Sequence, residues 1–272
     1  LPVNRFSIGT QSFFDEHLKF MGRAHSAQQA EGSIKRAQDM GFENLTIDLI
    51  YGFPLLSDEQ WKHNLHQVAL LEIPHFSAYS LTVEQGTALY HGVQKGTIAP
   101  PKEAQAARHM EQLMEWSKKR EYEHYEISNF AKNEKYALHN TSYWKGTPYI
   151  GLGPSAHSFL GAERRWNIAN TPAYIKSISE GNVPFESEAL RISDQYNEAV
   201  MTGLRTQWGV TKQHIKTFGD GFLSYFEKEM APVLNKGWAT KEDGRYCLTA
   251  QGKLRADAIA ADLFWINEEN ES

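Results

Sequence analysis

The sequence predicts an α/β fold with a parallel sheet, followed by a mostly helical C-terminal module. Two observations lead to this prediction. In the first half of the chain, strand-like segments alternate with amphipathic helical segments, and the strands begin roughly 31–47 residues apart, as βαβ crossovers require. From Arg191 onward, helical patterns dominate. The sheet is then either an open doubly wound layer or part of a (β/α) barrel.

The first crossover is the clearest. A strand is predicted in "RFSIGT" and a helix from Ala27 to Met40. Ser26 and Gln29 have the spacing of a capping box, which satisfies free amide groups at a helix N-terminus, and Gly41 is a typical stop. The chain therefore predicts a strand followed by a well-defined helix.

The same strand-then-helix pattern repeats along the chain. A strand in "NLTIDLIYG" precedes a helix that begins near Ser57, where Gln60 completes a second capping box. The remaining predicted elements of this half are a strand in "HFSAYSLT", a helix whose apolar face carries Ala106, Met110, Leu113 and Met114, and a fourth strand in "YEHYEIS".

The C-terminal module has the element order of a winged helix. Helices are predicted over 193–205, 211–218, 221–236 and 250–264, with a hairpin in "WATKEDGRYCL" that turns at Asp243-Gly244. Residues 191–272 carry ten Lys/Arg and twelve Asp/Glu. A DNA-reading wing needs positive charge for phosphates, so a docking or lid role is favoured over nucleic-acid binding.

Composition describes a globular protein of the cytoplasm. The chain has 272 residues, 41% of them hydrophobic, a net charge of −5 and one cysteine, Cys247. A lone cysteine excludes an intrachain disulfide framework and fits a reducing compartment. No apolar run reaches the ~18–20 residues that span a bilayer, and the first ten residues lack the layout of a signal peptide.

Two strands carry polar residues where a buried parallel sheet normally has Val and Ile. Ser7, Gly9 and Gln11 share one face of the first strand, and Thr46, Asp48 and Ile50 share one face of the second. If these faces line a cavity, Gln11 and Asp48 lie near the strand ends where α/β folds bind ligands. Ribose hydroxyls would suit a buried Asp48. The alternative, that Asp48 caps a neighbouring loop, stays open.

Seven segments of the sequence match one family in order. They are "VNRFSIGTQSF", "LKFMGRAHS", "NLTIDLIYGFP", "FSAYSLTVEQGT", "YEISNFA", "HNTSYW" and "GLGPSAHS". Together they resemble the oxygen-independent coproporphyrinogen III oxidase-like radical S-adenosylmethionine (SAM) family, and within it the heme chaperone branch. The resemblance implies the second half of a partial (β/α)6 TIM-like barrel with its following loop region, in residues 1–190, and a winged-helix-like domain in residues 191–272.

The resemblance also implies a SAM site. The family's SAM contacts fall on Gln11, Arg23 and Asp48, with Arg23 pairing with the SAM carboxylate and the other two near the ribose. Thr82 and His157 align with positions lining the same cavity, although their residue types differ from those of the oxidases.

The sequence departs from the family in one respect. The Cys-x3-Cys-x2-Cys motif that binds a [4Fe–4S] cluster is absent, and Cys247 cannot replace three spaced thiolates. We therefore expect a C-terminal portion of a longer protein that uses SAM and the cluster. In this chain we expect no catalytic or metal-ligating residue, and no radical chemistry.

The segment "HNTSYWKG", residues 139–146, has neither a helical nor a strand period and is expected in a loop. The resemblance implies that it marks the heme chaperones. His139 and Tyr143 are types of side chain that ligate heme iron, and Trp144 offers a flat face for a porphyrin. The alternative is a structural plug in which His139 bonds the loop. His157 is a second candidate heme contact, or else a partner of a backbone carbonyl.

Two classes of function remain open at this stage. The first is a protein that binds heme and delivers it to an apo-protein, with membrane contact only through such a client. The second is oxidative decarboxylation of coproporphyrinogen III in porphyrin biosynthesis. The HNxxYW segment favours the first, while the SAM residues are common to both.

Overall fold

The structure is a computed structural model that describes residues 3–266. The chain divides into two compact units, on either side of the Ala137–Leu138 bond. The elements of the first unit are β1 (Phe6–Gln11), α1 (Asp15–Phe20), α2 (Ala27–Asp39), β2 (Leu45–Tyr51), α3 (Asp58–Leu70), β3 (His75–Ser80), α4 (Ala88–Gln94), α5 (Glu103–Lys119), β4 (Glu123–Glu126) and β5 (Asn129–Ala131).

The first unit is built on a five-stranded sheet in the order β1-β2-β3-β5-β4. Strands β1, β2 and β3 are parallel, as the sequence predicts. The fourth predicted strand is present as β4. Strand β4 does not lie beside β3, because the chain turns back after Glu126 and inserts β5 antiparallel to both. The predicted segment "YEHYEIS" thus covers one arm of a hairpin.

Helices α2 and α3 of this unit start where the sequence predicts. Ser26 and Ser57 each accept a hydrogen bond from the third residue of the helix they precede, and each capping box is complete. The helix side of the sheet is apolar and closed to solvent. Its fully buried side chains include Ile34, Ile47, Leu49, Trp61, Leu65, Phe76 and Leu113. This core leaves the opposite face of the sheet for polar residues.

The second unit contains two small sheets with helices around them. Its elements are α6 (Leu138–Trp144), β6 (His157–Phe159), β7 (Glu163–Asn167), α7 (Thr171–Ser179), β8 (Phe185–Ala189), α8 (Ile192–Leu204), β9 (Val210–Thr211), α9 (Lys212–Lys216), α10 (Asp220–Asn235), β10 (Ala239–Glu242), β11 (Arg245–Leu248), α11 (Ala250–Lys253) and α12 (Ala256–Asp262). Strands β6, β7 and β8 form an antiparallel sheet that the sequence analysis does not predict.

The C-terminal elements follow the predicted order. Strands β10 and β11 form the hairpin, and β9 pairs with β11 as a third strand. At the turn, Asp243 and Gly244 have φ of 49° and 76°, as a tight type I′ turn requires. The last predicted helix is wrong in one detail, because it breaks at Leu254–Arg255 into α11 and α12.

Two further predictions concern the segment "HNTSYWKG" and the domain boundary at residue 190. The segment "HNTSYWKG" is not a loop, since residues 138–144 form helix α6. The boundary placed at residue 190 falls between β8 and α8, inside the second unit, and stays a prediction. Within residues 3–266, no helix combines the length and apolarity that crossing a membrane demands.

Candidate functional site

The face of the five-stranded sheet opposite the helices is polar in the first unit. Asp48 of β2 pairs in register with Ser77 of β3, and Ser77 pairs with Asn129 of β5. Because side chains two residues apart along a strand share a face, His75 and Tyr79 lie on the same face as Ser77. This face, defined by Asp48, Ser77, Tyr79 and Asn129, is called the polar face below.

Gly9 brings two of the predicted SAM residues together. A Cβ built on Gly9 would lie 3.0 Å from Gln11 Nε2 and 3.4 Å from Arg23 Nη2. Because Gly9 has no side chain, the Gln11 amide and the Arg23 guanidinium can both lie directly over its Cα. Gln11 reaches it because β1 is irregular after Ile8 and Gln11 itself has a φ of 64°. A buried non-glycine residue in this region is a strained conformation that marks functional sites.

The loop after β1 is held by a buried polar cluster. The side chain of Asn64, on α3, accepts a hydrogen bond from the Phe13 amide at 2.9 Å and donates one to Ser12 Oγ at 3.2 Å. Ser12 Oγ in turn lies 2.9 Å from His17 Nδ1. These bonds fix the chain directly after Gln11. The cluster therefore positions the end of β1 where Gln11 and Arg23 meet.

Asp48 is half-buried, and its pKa is influenced by this burial and by two neighbouring groups. Burial raises the pKa of Asp48, whereas a hydrogen bond from Ser77 and the positive charge of Arg23 act in the opposite direction. Arg23 therefore lies close enough to influence the carboxylate. Gln11 and Arg23 thus meet over Gly9, and the charge of Arg23 acts on Asp48. The role of the three residues in SAM binding stays a prediction.

Sequence reasoning misses other members of the polar face. Ser77 Oγ donates to Asn129 Oδ1 at 2.7 Å, and Asn129 Nδ2 donates to Glu126 Oε1. The alternation of His75, Ser77 and Tyr79 in "HFSAYS" could have revealed part of this row. Asn129 could not be found in this way, because β5 has only three residues and no strand period of its own.

The two remaining candidate SAM residues are Thr82 and His157. Thr82 is exposed, two residues beyond the end of β3. His157 belongs to the second unit, where it begins β6, is exposed, and has its ring 6.3 Å from the ring of Trp166. The roles of both residues stay predictions.

Helix α6 brings two of the candidate heme residues into contact. His139 and Tyr143 are one helical turn apart, and Tyr143 Oη lies 3.0 Å from His139 Nε2. Their rings meet edge to face at 4.9 Å, and Tyr143 has the same arrangement with Tyr149 at 4.8 Å. His139 is exposed and 43% of the Tyr143 surface is accessible. An imidazole and a phenol thus share one solvent-facing side of the helix.

Trp144 points to a different environment. It is half-buried, and the guanidinium of Arg205 lies 5.6 Å from its ring centre. The neighbouring Lys145 lies 4.5 Å from the ring of Trp208. These cation–π contacts tie the end of α6 to the segment that follows α8. One face of the Trp144 ring is therefore used for packing within the unit.

The donor groups of the chain do not fit an iron–sulfur cluster. Cys247 is the single cysteine, and its Sγ hydrogen-bonds the Gln207 carbonyl at 3.4 Å. Burial raises the pKa of this thiol, which disfavours the thiolate that metals require. In the described part of the chain, no three His, Cys, Asp or Glu side chains are grouped in a way that would hold a metal ion.

Comparisons with known proteins agree on one family. Residues 1–68 match the Radical SAM superfamily and residues 193–255 match the HemN C-terminal domain. The heme chaperone HemW of Bacillus subtilis is 33% identical over 94% of this chain and 68% of its own length. The mitochondrial radical S-adenosyl methionine domain-containing protein 1 of Danio rerio is 32% identical over 79% of this chain and 51% of its own length.

A solved structure supports the same fold. Coproporphyrinogen III oxidase (HemN) from Escherichia coli, a radical SAM enzyme, superposes with a TM-score of 0.77 at 22% identity. The match covers 97% of this chain and 64% of the oxidase. The predicted fold class, a radical SAM α/β fold with a C-terminal domain, is thereby confirmed. The chain spans about two thirds of the length of these relatives or less.

Proposed function

The chain belongs to the HemN-like radical SAM family, in the branch of the heme chaperones, and from this premise we propose that it binds heme and passes it to an apo-protein. The identity to HemW of Bacillus subtilis, 33% over most of the chain, supports this branch. The relatives are longer than this chain. The proposal is therefore limited to the contribution that these 272 residues make to heme binding.

The observation that carries the proposal is the His139–Tyr143 pair. Imidazole and phenolate are both known axial ligands of heme iron. In the structure, Tyr143 Oη lies 3.0 Å from His139 Nε2 on a solvent-exposed side of α6. A structural plug would instead require these side chains to be buried. The exposed pair therefore favours a binding role over a packing role.

The polar face fits the second ligand of the family. SAM, when bound, supplies a methionine carboxylate and an adenosyl group whose ribose carries two hydroxyls. In this proposal Arg23 pairs with the carboxylate, for which a guanidinium is well shaped, and Gln11 and Asp48 hold the ribose. The approach of Gln11 and Arg23 over Gly9, and the effect of the Arg23 charge on Asp48, support it. The absence of a side chain at Gly9 supports this proposal, because it lets Gln11 and Arg23 approach each other over β1.

Oxidative decarboxylation of coproporphyrinogen III is the competing function. The SAM residues are common to both functions, and the HNxxYW segment favours heme transfer. Incubating the full-length protein with coproporphyrinogen III, SAM and a reductant should therefore give no protoporphyrinogen. Clear product formation would contradict the chaperone assignment.

The proposal is tested by adding hemin to the chain and recording absorption spectra. We expect a Soret band with a defined maximum that saturates at about one hemin per chain, as single-site ligation demands. His214→Ala provides the matched control, because it removes an exposed histidine elsewhere in the same unit. This variant should keep the band. A featureless, non-saturating spectrum for the unchanged protein would refute heme binding.

A further inference from the structure

Tyr149 connects helix α6 to the sheet of β6, β7 and β8. Its amide donates a hydrogen bond to the Phe159 carbonyl at 2.9 Å, and its carbonyl accepts one from the Phe159 amide at 3.0 Å. The two bonds form a single antiparallel bridge to β6. The backbone of Tyr149 is therefore held by the sheet, while its half-buried ring is left to contact other elements.

The end of α6 turns the chain back toward the helix. Gly146 has a φ of 62°, and its amide donates to the Tyr143 carbonyl at 3.1 Å. The next amide, of Thr147, donates to the Ser142 carbonyl at 2.9 Å. These two bonds form a Schellman motif, in which the residue with positive φ is usually glycine. The motif ends the helix sharply, so that Tyr149, three residues later, meets its last turn.

The returning ring of Tyr149 packs on the ring of Tyr143. Their centres are 4.8 Å apart and their planes lie at 89°, an edge-to-face geometry that aromatic pairs favour. Tyr143 also contacts His139, with ring centres 4.9 Å apart and Oη 3.0 Å from Nε2. Because 43% of the Tyr143 surface is accessible, these contacts restrain a side chain that otherwise faces solvent.

We propose that Tyr149 is a positioning residue for the pair on α6, and that it holds the Tyr143 ring in the orientation in which Oη meets His139. A side chain that is held before binding loses less conformational freedom when a ligand arrives. Tyr149 thus raises the affinity for hemin without contacting the iron. The inference rests on the proposed function, which assigns heme to His139 and Tyr143.

The first test follows the ring nitrogens of His139 by ¹⁵N NMR at one fixed pH, in the 272-residue chain without ligand. The Nε2 signal reports the hydrogen bond with Tyr143, and Tyr143→Phe gives the reference shift for its loss. In Tyr149→Leu the signal should move toward this reference. Tyr149→Phe keeps the ring and should leave the signal unchanged. A signal that stays in place in a folded Tyr149→Leu variant would overturn the proposal.

The second test is a hemin titration of the same variants, recorded by absorption. Tyr149→Leu should weaken hemin binding by about 3–10-fold, the cost of ordering one free side chain, and should shift or broaden the Soret band. Tyr149→Phe should restore both properties. Tyr225→Leu is the matched control, because it removes a half-buried tyrosine from α10, and it should keep the affinity and the band.

The outcomes separate positioning from packing. If Tyr149→Leu only lowers the melting temperature and binds hemin with unchanged affinity and spectrum, the residue is structural and the proposal is overturned. If the unchanged protein gives no saturating band, heme binding itself is refuted, and the proposal with it. Should Tyr149→Leu not fold, Tyr149→Met takes its place in both tests, because it also removes the ring and has a flexible side chain that fills irregular space.

Discussion

His75 is fully buried and hydrogen-bonded through Nε2 to Tyr125 Oη at 2.7 Å. Burial and, to a smaller extent, the charge of Arg5 lower the pKa of His75 to about 3. An unfolded histidine titrates near ~6.5, so on acidification the unfolded state takes up the proton first. The folded state is therefore favoured above pH ~6.5 and loses this advantage as the pH falls toward the folded pKa.

We expect the free energy of unfolding to fall by about 2 kcal/mol between pH 7 and pH 5 from His75 alone. Burial also lowers the pKa of His17 and of His109, which adds to the loss. Urea denaturation at a series of pH values measures the effect. His75→Gln should show a shallower pH dependence in this window, and an unchanged slope would mean that His75 titrates normally in the folded protein.

The buried charge of Asp48 should destabilise the folded protein at neutral pH. Because burial raises its pKa, the folded state binds a proton more tightly than the unfolded state, and stability falls as the pH rises above ~3.8. Asp48→Asn removes the charge and keeps the shape, so it should stabilise the protein at pH 7 by roughly 0.5–1 kcal/mol. The exposed Asp39→Asn is the control, expected to change stability by less than about 0.5 kcal/mol. Destabilisation by Asp48→Asn in thermal melts would indicate a structural role for the charge.

At the scale of elements, the connection between α8 and β9 depends on Gly209. Its φ is 65°, and an added Cβ would lie 2.3 Å from the Tyr246 carbonyl oxygen and 2.6 Å from Cys247 Sγ. Gly209→Ala should therefore force β9 away from β11. Gly237 has nearly the same φ, 68°, but open space around its Cβ position. Gly237→Ala thus isolates the cost of the backbone conformation.

We expect Gly237→Ala to cost about 1 kcal/mol and Gly209→Ala about 3 kcal/mol or more. Denaturant unfolding of the two variants measures the difference. The additional loss of stability in Gly209→Ala, compared with Gly237→Ala, measures the cost of the clash between the new Cβ and β11. Equal losses in the two variants would contradict the close approach seen in the structure.

The same scale shows what the sequence can predict. Helices α2 and α3 were predictable because each begins with a capping box. Ser26 and Ser57 accept a hydrogen bond from a backbone amide only three residues further along the chain, a spacing that the sequence shows directly. Strand β5 was not, because it exists only through pairing with β3 and β4. Helix α6 was missed because His139, Tyr143 and Trp144 have no apolar period, and tertiary contacts such as Arg205 over Trp144 hold it.

In the candidate site, too, local features were predictable from the sequence and features that depend on tertiary structure were not. The grouping of Gln11 and Arg23 was expected from the resemblance, but its cause, the missing side chain of Gly9 and the positive φ of Gln11, appears only in the structure. The contact of His139 with Tyr143 follows from helical spacing once α6 is known. The grouping of Asp48, Ser77 and Asn129 depends on the register of three strands, which the sequence does not encode locally.

At the scale of the whole molecule, each unit carries one candidate ligand site. The polar face supplies Gln11, Arg23 and Asp48, but no cluster donors. We therefore expect the 272-residue chain to show negligible affinity for SAM in isothermal calorimetry, because the cluster that anchors SAM in this family has no ligands here. Tight binding would show that Asp48 and its neighbours are not the SAM site, or that the cluster is not needed. Loss of such binding in Asp48→Ala would decide between the two.

The central claim is that the exposed pair on α6 binds heme iron. The most direct test is the double variant His139→Ala, Tyr143→Phe, measured both by its hemin spectrum and by its thermal melt. The account predicts that the Soret band shifts or disappears while the free energy of unfolding changes by less than about 1–2 kcal/mol, since both side chains face solvent. A well-folded double variant with an unchanged hemin spectrum would contradict the claim, and His157 would become the next residue to test.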